Sequence, residues 1–383
     1  MRSEAQKLNP PDFPLFLLVT VLACVGLIMV YSASAVLADE KFGSSTHFIG
    51  RQLLWMAAGA VALMGASRVD LAKIRPLAVP GLFVGLFLMG LVCVPGLGRS
   101  AGGAQRWLRL GFFSFQPSEI MKLAWVFFLA DSLDRRREKL KDLGGLVPYL
   151  VVLGIAVGLL QFQHDFGSVV MLTLLTLALL FLAGVRWTYF ALPLAVFLPV
   201  LSYLVMSSSY RMRRITAFLN PWDDPLGSGF QLIQSLIAVG SGGPLGVGLS
   251  NSTQKLFYLP APHTDFIFAI IGEELGLWGT LGVLALFTLF TARGLQVAAA
   301  AGRKSDGLFE GLLAAGLAGM IGIQAFFNLG VVIGLLPTKG LPLPLVSYGG
   351  TSVLFTLTAV GFLLNVSRRA KVHGERSGAS LEQ

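Results

Sequence analysis

The residues best suited to chemistry gather where apolar runs meet water. Asp265 stands in His263-Thr264-Asp265-Phe266, where the chain enters a long apolar run. A carboxylate at or in a bilayer costs about 2.5–3.5 kcal/mol on insertion scales, so it is a functional candidate by default. Burial would make it a stronger base, and a nearby cation a weaker one. The structural alternative is a helix cap, because Thr264 or Asp265 could start the helix that follows. Glu273 and Glu274 come two turns later in Gly272-Glu273-Glu274-Leu275-Gly276. They lie deeper and read as structural partners for cations or backbone amides. Arg99, Arg106 and Arg109 crowd one loop. That crowding suits an anion, or is no more than solvated surface charge. Lys339 sits among Pro337, Gly340, Pro342 and Pro344, which forbid a continuous helix. Broken backbone at membrane depth has to border protein or a watery cavity, so Lys339 is expected to point into one. Its alternative is snorkelling toward headgroups.

The elements that would position these groups follow from composition. Of 383 residues, 55% are hydrophobic and only 13% are charged, with mean hydropathy +0.74. An ordinary soluble domain carries about 25% charged residues. The low charge also excludes a disordered chain. Two cysteines, Cys24 and Cys93, lie in apolar runs and cannot form a disulfide scaffold. The fold class expected is all-α: a polytopic membrane helix bundle. A span needs roughly 20 apolar residues. Ten candidates appear near Pro14–Val36, Phe48–Ala66, Leu77–Val94, Pro117–Leu133, Val147–Gln161, Gly167–Ala183, Trp187–Met206, Phe266–Ala292, Leu308–Leu335 and Gly350–Val366. Pro193 and Pro199 predict a bend in the seventh. The chain divides into a tail (1–13), one membrane domain (14–366) and a second tail (367–383).

Net charge is +9. With the N-terminus cytoplasmic, the larger share of the Lys and Arg residues falls inside, including the run Arg135, Arg136, Arg137, Lys139 and Lys141. Both termini are therefore expected in the cytoplasm. The basic residues follow topology and anionic lipid rather than a nucleic-acid surface. The outer loop between spans seven and eight, 207–265, is too long to be structureless without a function. Tyr210–Asn220, with Arg211, Arg213 and Arg214, reads as a basic amphipathic helix on the membrane. Pro221-Trp222-Asp223-Asp224-Pro225 reads as a turn, and Phe230–Val239 as a half-buried helix. Gly240–Gly248 could cradle an anion with exposed amides, or could simply connect.

These segments resemble the SEDS family (shape, elongation, division and sporulation proteins), and within it the cell-division branch. The resemblance rests on Tyr31-Ser32-Ala33-Ser34, Gly103-Ala104-Gln105-Arg106-Trp107, Gln116-Pro117-Ser118-Glu119 with Lys122, and Asn220-Pro221-Trp222. It rests further on Gln254-Lys255 to Tyr258-Leu259-Pro260, His263 to Phe266, Gly272 to Gly276, and Gly334 to Gly350. What the resemblance implies is an inner-membrane peptidoglycan glycosyltransferase with ten spans, acting at the division septum on lipid II. It implies a single-span class B penicillin-binding protein as partner, together with other division proteins. It marks Asp265 as catalytic and Arg106 and Lys339 as functional. Trp107, His263, Glu119, Lys122 and Ser347 join the expected substrate-binding set. One departure is Ala261, where the family often carries glutamate, so an acidic helper for Asp265 is not carried over.

Glycan extension needs a base for an acceptor hydroxyl and cations for a leaving pyrophosphate. Asp265 is expected as the base, with Arg106 as a planar fork and Lys339 as a point charge on phosphate oxygens. A divalent cation, Mg or Mn, could share the phosphate charge. No resident metal site is expected. The rival readings are a lipid II flippase, for which broken helices and a polar cavity also suit, and a non-catalytic scaffold of the division machinery.

Overall fold

The structure, a computed structural model, describes residues 10–379 apart from 102–103, 111–112, 257, 306, 339 and most of 192–208. Helix α1 (Phe13–Phe42) begins at Asp12, whose side chain accepts from the Leu15 N–H, and ends at Gly43 in the left-handed region. Then come α2 (His47–Arg68), α3 (Ala78–Val92), strands β1 (Gly98–Ala101), β2 (Ala104–Leu110) and β3 (Phe113–Phe115), α4 (Pro117–Arg135), α5 (Val147–Phe162) and α6 (Phe166–Leu182). After the partly described stretch follow α7 (Ser209–Leu219), α8 (Phe230–Ser241), α9 (Ile267–Gly302), α10 (Leu308–Val332) and α11 (Gly350–Ala379).

Among the described residues, seven helical segments are long and apolar enough to cross a membrane: Phe13–Phe42, His47–Arg68, Leu71–Val92, Leu143–Phe162, Ile267–Gly302, Leu308–Val332 and Gly350–Ala370. The chain is a multi-pass membrane protein. The expected spans at Pro117–Leu133 and Gly167–Ala183 fold as α4 and α6. Helix α4 carries buried Glu119, Lys122 and Asp131, and α6 has 17 residues. The span expected at Trp187–Met206, with its prolyl bend, lies largely outside the described residues.

The core sits on α10 and α11, whose apolar windows are 78% and 72% buried, against 11% for α2. The peripheral helices turn Leu54, Phe83 and Phe87 outward. Exposure of that kind suits hydrocarbon rather than water.

One element was not expected. Loop 98–115 pairs as a three-stranded antiparallel sheet in the order β1-β2-β3, with Arg99 opposite Trp107 and Arg109 opposite Ser114. Alternation along Gln105-Arg106-Trp107-Leu108 supplies the period of two that a strand needs. Adjacent residues therefore face opposite ways, which matters for Arg106 and Trp107.

The glycine-rich segment is tied to helix α9 rather than being a slack connector. Helix α9 is broken at Gly276 (φ 66°, ψ −158°), a conformation open essentially to glycine alone. The break leaves helix carbonyls without helix partners. Val247 N–H donates to Glu273 O (2.9 Å) and Gly248 N–H to Glu274 O (3.1 Å), while Leu277 N–H donates to Gly243 O (2.9 Å). Two of the segment's amides, those of Val247 and Gly248, are thus engaged in fastening the loop to α9.

Candidate active site

Helix α9 starts at Ile267 with Phe266 at its cap position and no side-chain capping bond. Asp265 is therefore not the helix cap. Its backbone is held instead. Asn328 Nδ2, on the buried helix α10, donates to Asp265 O (2.7 Å) and to Leu341 O (2.8 Å). One amide thus joins the Asp265 segment to the proline-rich loop. Ser347 Oγ donates to Thr264 O (2.6 Å) and accepts from Leu343 N–H (2.8 Å). Tyr348 N–H donates to His263 O (2.9 Å). Three consecutive carbonyls, 263 to 265, are tied to neighbouring elements, so the carboxylate is aimed by its backbone.

The carboxylate faces cations. A Cβ placed on Gly340 would lie 3.0 Å from Asp265 Oδ2 and 3.5 Å from Arg106 Nη1, so both groups flank that glycine. Burial pushes the Asp265 carboxyl up to about 6, while Arg106 and Arg214 pull it down and Asp165 pushes it further up. At neutral pH such a group is ionised and more basic than an ordinary aspartate.

Arg106 comes in from β2. Its Nη2 donates to His164 O (2.9 Å) and Nη1 stands 3.8 Å from Asp165 Oδ1. Its Nε is buried without a partner among the described residues. Arg214, on α7, donates to Thr338 O (2.8 Å). Arg106, Arg211, Arg214, Phe166, Thr338 and Gly340 line a small cavity. Because β2 alternates, Trp107 points elsewhere. It lines a wider groove of about 1800 Å³ with Arg51, Arg99, Trp55 and Thr264. Thr264 thus borders the groove, while Gly340 and Arg106, which flank the Asp265 carboxylate, border the arginine cavity.

The remaining expected residues have other surroundings. His263 is buried against Phe48 (ring centroids 4.6 Å apart) and Tyr348 (5.7 Å). Burial, with Lys41 nearby, pushes its imidazole down to about 4, so it is neutral at physiological pH. Ser347 is buried and bonded to backbone. Glu119 and Lys122 lie inside the bundle, bonded to each other (2.9 Å), with Lys122 Nζ also on Gln324 Oε1 (2.7 Å). They support the loop from beneath, since Gln324 Nε2 donates to Pro342 O (2.8 Å). Lys339 lies outside the described residues.

The structure adds Asp165, Arg211, Arg214 and Asn328. Asp165 caps α6, accepting from Ser168 N–H (3.2 Å) and Ser168 Oγ (2.7 Å), while sharing Arg106 with Asp265. Its signal was present: an acid at the end of an apolar run, after Gln161, Gln163 and His164. No local pattern in that stretch points to Arg106 on β2. Arg211 and Arg214 read as a membrane-surface helix face, and nothing local brings that face to Asp265.

A multi-pass helical membrane protein with a carboxylate and guanidinium groups converging at one rim defines the class. A family model described as cell cycle protein, covering FtsW, RodA and SpoVE, matches residues 13–372. The chain belongs to this family, the SEDS proteins. It is 46% identical over 361 residues to the probable peptidoglycan glycosyltransferase FtsW of Geobacter metallireducens, covering 94% of this chain and 95% of that one. It is 44% identical over 366 residues to stage V sporulation protein E of Bacillus subtilis, covering 95% and 99%. A solved chain described under the structural coordination of polymerization and crosslinking by a peptidoglycan synthase complex superposes with TM-score 0.77 at 32% identity, covering 94% and 98%.

Proposed function

We propose that this protein is a peptidoglycan glycosyltransferase that polymerises lipid II into β-1,4 glycan strands during septal wall synthesis. The observation that carries the reading is the Asp265 carboxylate facing Arg106 across Gly340, beside a cavity with three arginines. Asp265 takes the proton from the acceptor sugar 4-hydroxyl as that oxygen attacks the donor's anomeric carbon. The bond from that carbon to phosphate breaks, and the polyprenyl pyrophosphate leaves with the electron pair. Attack opposite the leaving group converts an α-linked donor into a β-linked product. Arg106, Arg211 and Arg214 meet the charge that gathers on the pyrophosphate, where exclusion of water strengthens their effect. Lys339 adds a further cation from the proline-rich loop. Trp107 contacts substrate from the second groove. His263 and Ser347 hold the segment from which Asp265 acts.

A divalent cation, Mg or Mn, would arrive with the pyrophosphate. Among the described residues no three His, Cys, Asp or Glu side chains converge as ligands. Phosphate oxygens would therefore supply most of its coordination.

The protein works in the bacterial inner membrane at the division septum, as one ten-span domain with both termini cytoplasmic. Its partner is a single-span class B penicillin-binding protein that supplies crosslinking, within a set of division membrane proteins. The relative solved in a peptidoglycan synthase complex supports this reading.

The test is polymerisation of lipid II by purified protein, with and without the partner, comparing wild type with Asp265→Asn. Loss of polymer with lipid II binding retained is expected. A variant that polymerises at near wild-type rate removes Asp265 from the base role. If wild type makes no polymer in detergent yet moves lipid II across vesicle bilayers, the flippase reading replaces this one. A scaffold would tolerate Asp265→Asn and make no polymer in either assay.

A further inference from the structure

Three sequence motifs meet away from the arginine cavity in a buried cluster that the proposed mechanism does not use. Lys255 Nζ lies 2.8 Å from Glu274 Oε1 and 3.3 Å from Ser32 Oγ. Ser32 Oγ lies within hydrogen-bonding distance of both Glu274 oxygens (2.7 and 2.6 Å). All three side chains are buried. The neighbouring Glu273 accepts from Ser252 Oγ, from Thr253 N–H (2.9 Å) and from Thr253 Oγ1 (3.0 Å).

Lys255 precedes Asp265 by ten residues and Glu274 follows it by nine. The ion pair therefore closes the base of the segment on which Asp265 is carried. Between Lys255 and Asp265 the described residues form turns rather than helix or strand, held by bonds such as Leu259 N–H to Gln254 O (2.9 Å). Ala261 sits at φ 53°, an unfavourable conformation for a residue with a Cβ. Such a segment has no ladder to fix its register and needs anchors at both ends. Asn328 supplies one, through Asp265 O.

We propose that Lys255 and Glu274, fastened to α1 by Ser32, are positioning residues that hold Asp265 in its water-poor niche opposite Arg106. This rests on Asp265 being the base. Release of the fastening would let the segment slide outward and admit water to the carboxylate. Among the described residues, the charged groups facing that carboxylate are Arg106 from β2, Arg214 from α7 and Asp165 at the start of α6. None belongs to the fastening, so its loss acts through position alone.

The experiment measures kcat, KM for lipid II and the pH–rate profile of the full chain with its partner. It compares wild type, Lys255→Met and the milder Ser32→Ala. A misplacement of about an ångström can cost on the order of 100-fold in rate. Lys255→Met is expected to lose about 10- to 100-fold in kcat with KM within about twofold. The acid limb of its profile should move to lower pH, because a hydrated carboxyl returns toward its ordinary range. Lys255→Arg should recover much of the rate. Ser32→Ala should show the same direction with smaller size, and it keeps the test decisive if Lys255→Met does not fold. An acid limb present in wild type and unmoved in the folded variants overturns this inference alone. No acid limb in wild type overturns the assignment of Asp265, and the inference with it.

Discussion

Two regions of this molecule each set a carboxylate against a cation and behave as opposites. Inside the bundle, Lys122, Glu119 and Gln324 are at most 5% exposed, and the ammonium has partners at 2.9 and 2.7 Å. At the rim of the bundle, Asp265 is half-buried, caps nothing and faces Arg106, whose Nε has no partner among the described residues. A buried charge with matched partners holds elements together, and removing one partner strands the other. A carboxylate desolvated without a full set of hydrogen bonds keeps its basicity available for another molecule's proton. Satisfaction of hydrogen-bonding capacity, more than the presence of charge, separates scaffolding from chemistry here.

The comparison breaks first, and most visibly, at Asp265. Asp265→Asn keeps shape and removes the proposed base, so polymerisation should fall about 10²- to 10⁴-fold. Single-turnover assays with bound lipid II check this. The inner region should answer differently. Lys122→Met leaves Glu119 as an uncompensated buried charge and should destabilise the protein by about 3–5 kcal/mol. Replacing Glu119 by leucine in the same chain should restore most of it. Melting in detergent reads both variants. Should Lys122→Met melt normally while lipid II binding collapses, Lys122 contacts substrate and the contrast drawn here is wrong. Arg106→Ala should raise the barrier by about 2–4 kcal/mol, as for loss of one group that stabilises transition-state charge. Its effect should lie in kcat rather than in melting temperature, because Arg106 is on the rim.

The pH profile sharpens the same contrast. Asp265, as the proposed base, has to be ionised to act, and burial pushes its carboxyl up to about 6. Rate should therefore rise with pH through about 6 and level above it, falling about tenfold per unit on the acid side. His263 is neutral across this range, since burial pushes it down to about 4. An acid limb that survives Asp265→Asn would point to a different titrating group.

Much of this was readable before any coordinates. Apolar run lengths give the helices, because backbone in hydrocarbon must satisfy itself within each helix. Asp265 stood out because a carboxylate beside an apolar run is costly. What was hidden depends on contacts distant in sequence. Arg214 meets Thr338 O across more than a hundred residues, and Asn328 reaches both Asp265 O and Leu341 O. No local pattern encodes those pairings. The glycine-rich segment misled for a related reason. Its amides looked free because their acceptors, the carbonyls of Glu273 and Glu274, become available only once α9 breaks at Gly276. The sheet at 98–115 was not expected: alternation is confined to β2, and its flanking strands are too short to announce themselves.

The smallest expected effect tests the rim most directly. Gly340 separates the carboxylate from the guanidinium, and a methyl there would lie 3.0 Å from Asp265 Oδ2 and 3.5 Å from Arg106 Nη1. The first distance is tighter than ordinary van der Waals contact, and both neighbours are ends of side chains that can yield by a few tenths of an ångström. Gly340→Ala should therefore leave melting nearly unchanged, as surface substitutions do within about 0.5 kcal/mol. It should move the base relative to the cation and lower kcat by roughly 3- to 10-fold, a fraction of the penalty for larger misplacement. A comparable alanine at Gly50, on the exposed start of α2 where a Cβ meets nothing within 4 Å, is the matched control. Equal rates for the two variants would mean that spacing across Gly340 does not govern the reaction. Asp265 and Arg106 would then act on substrate independently rather than as a set pair.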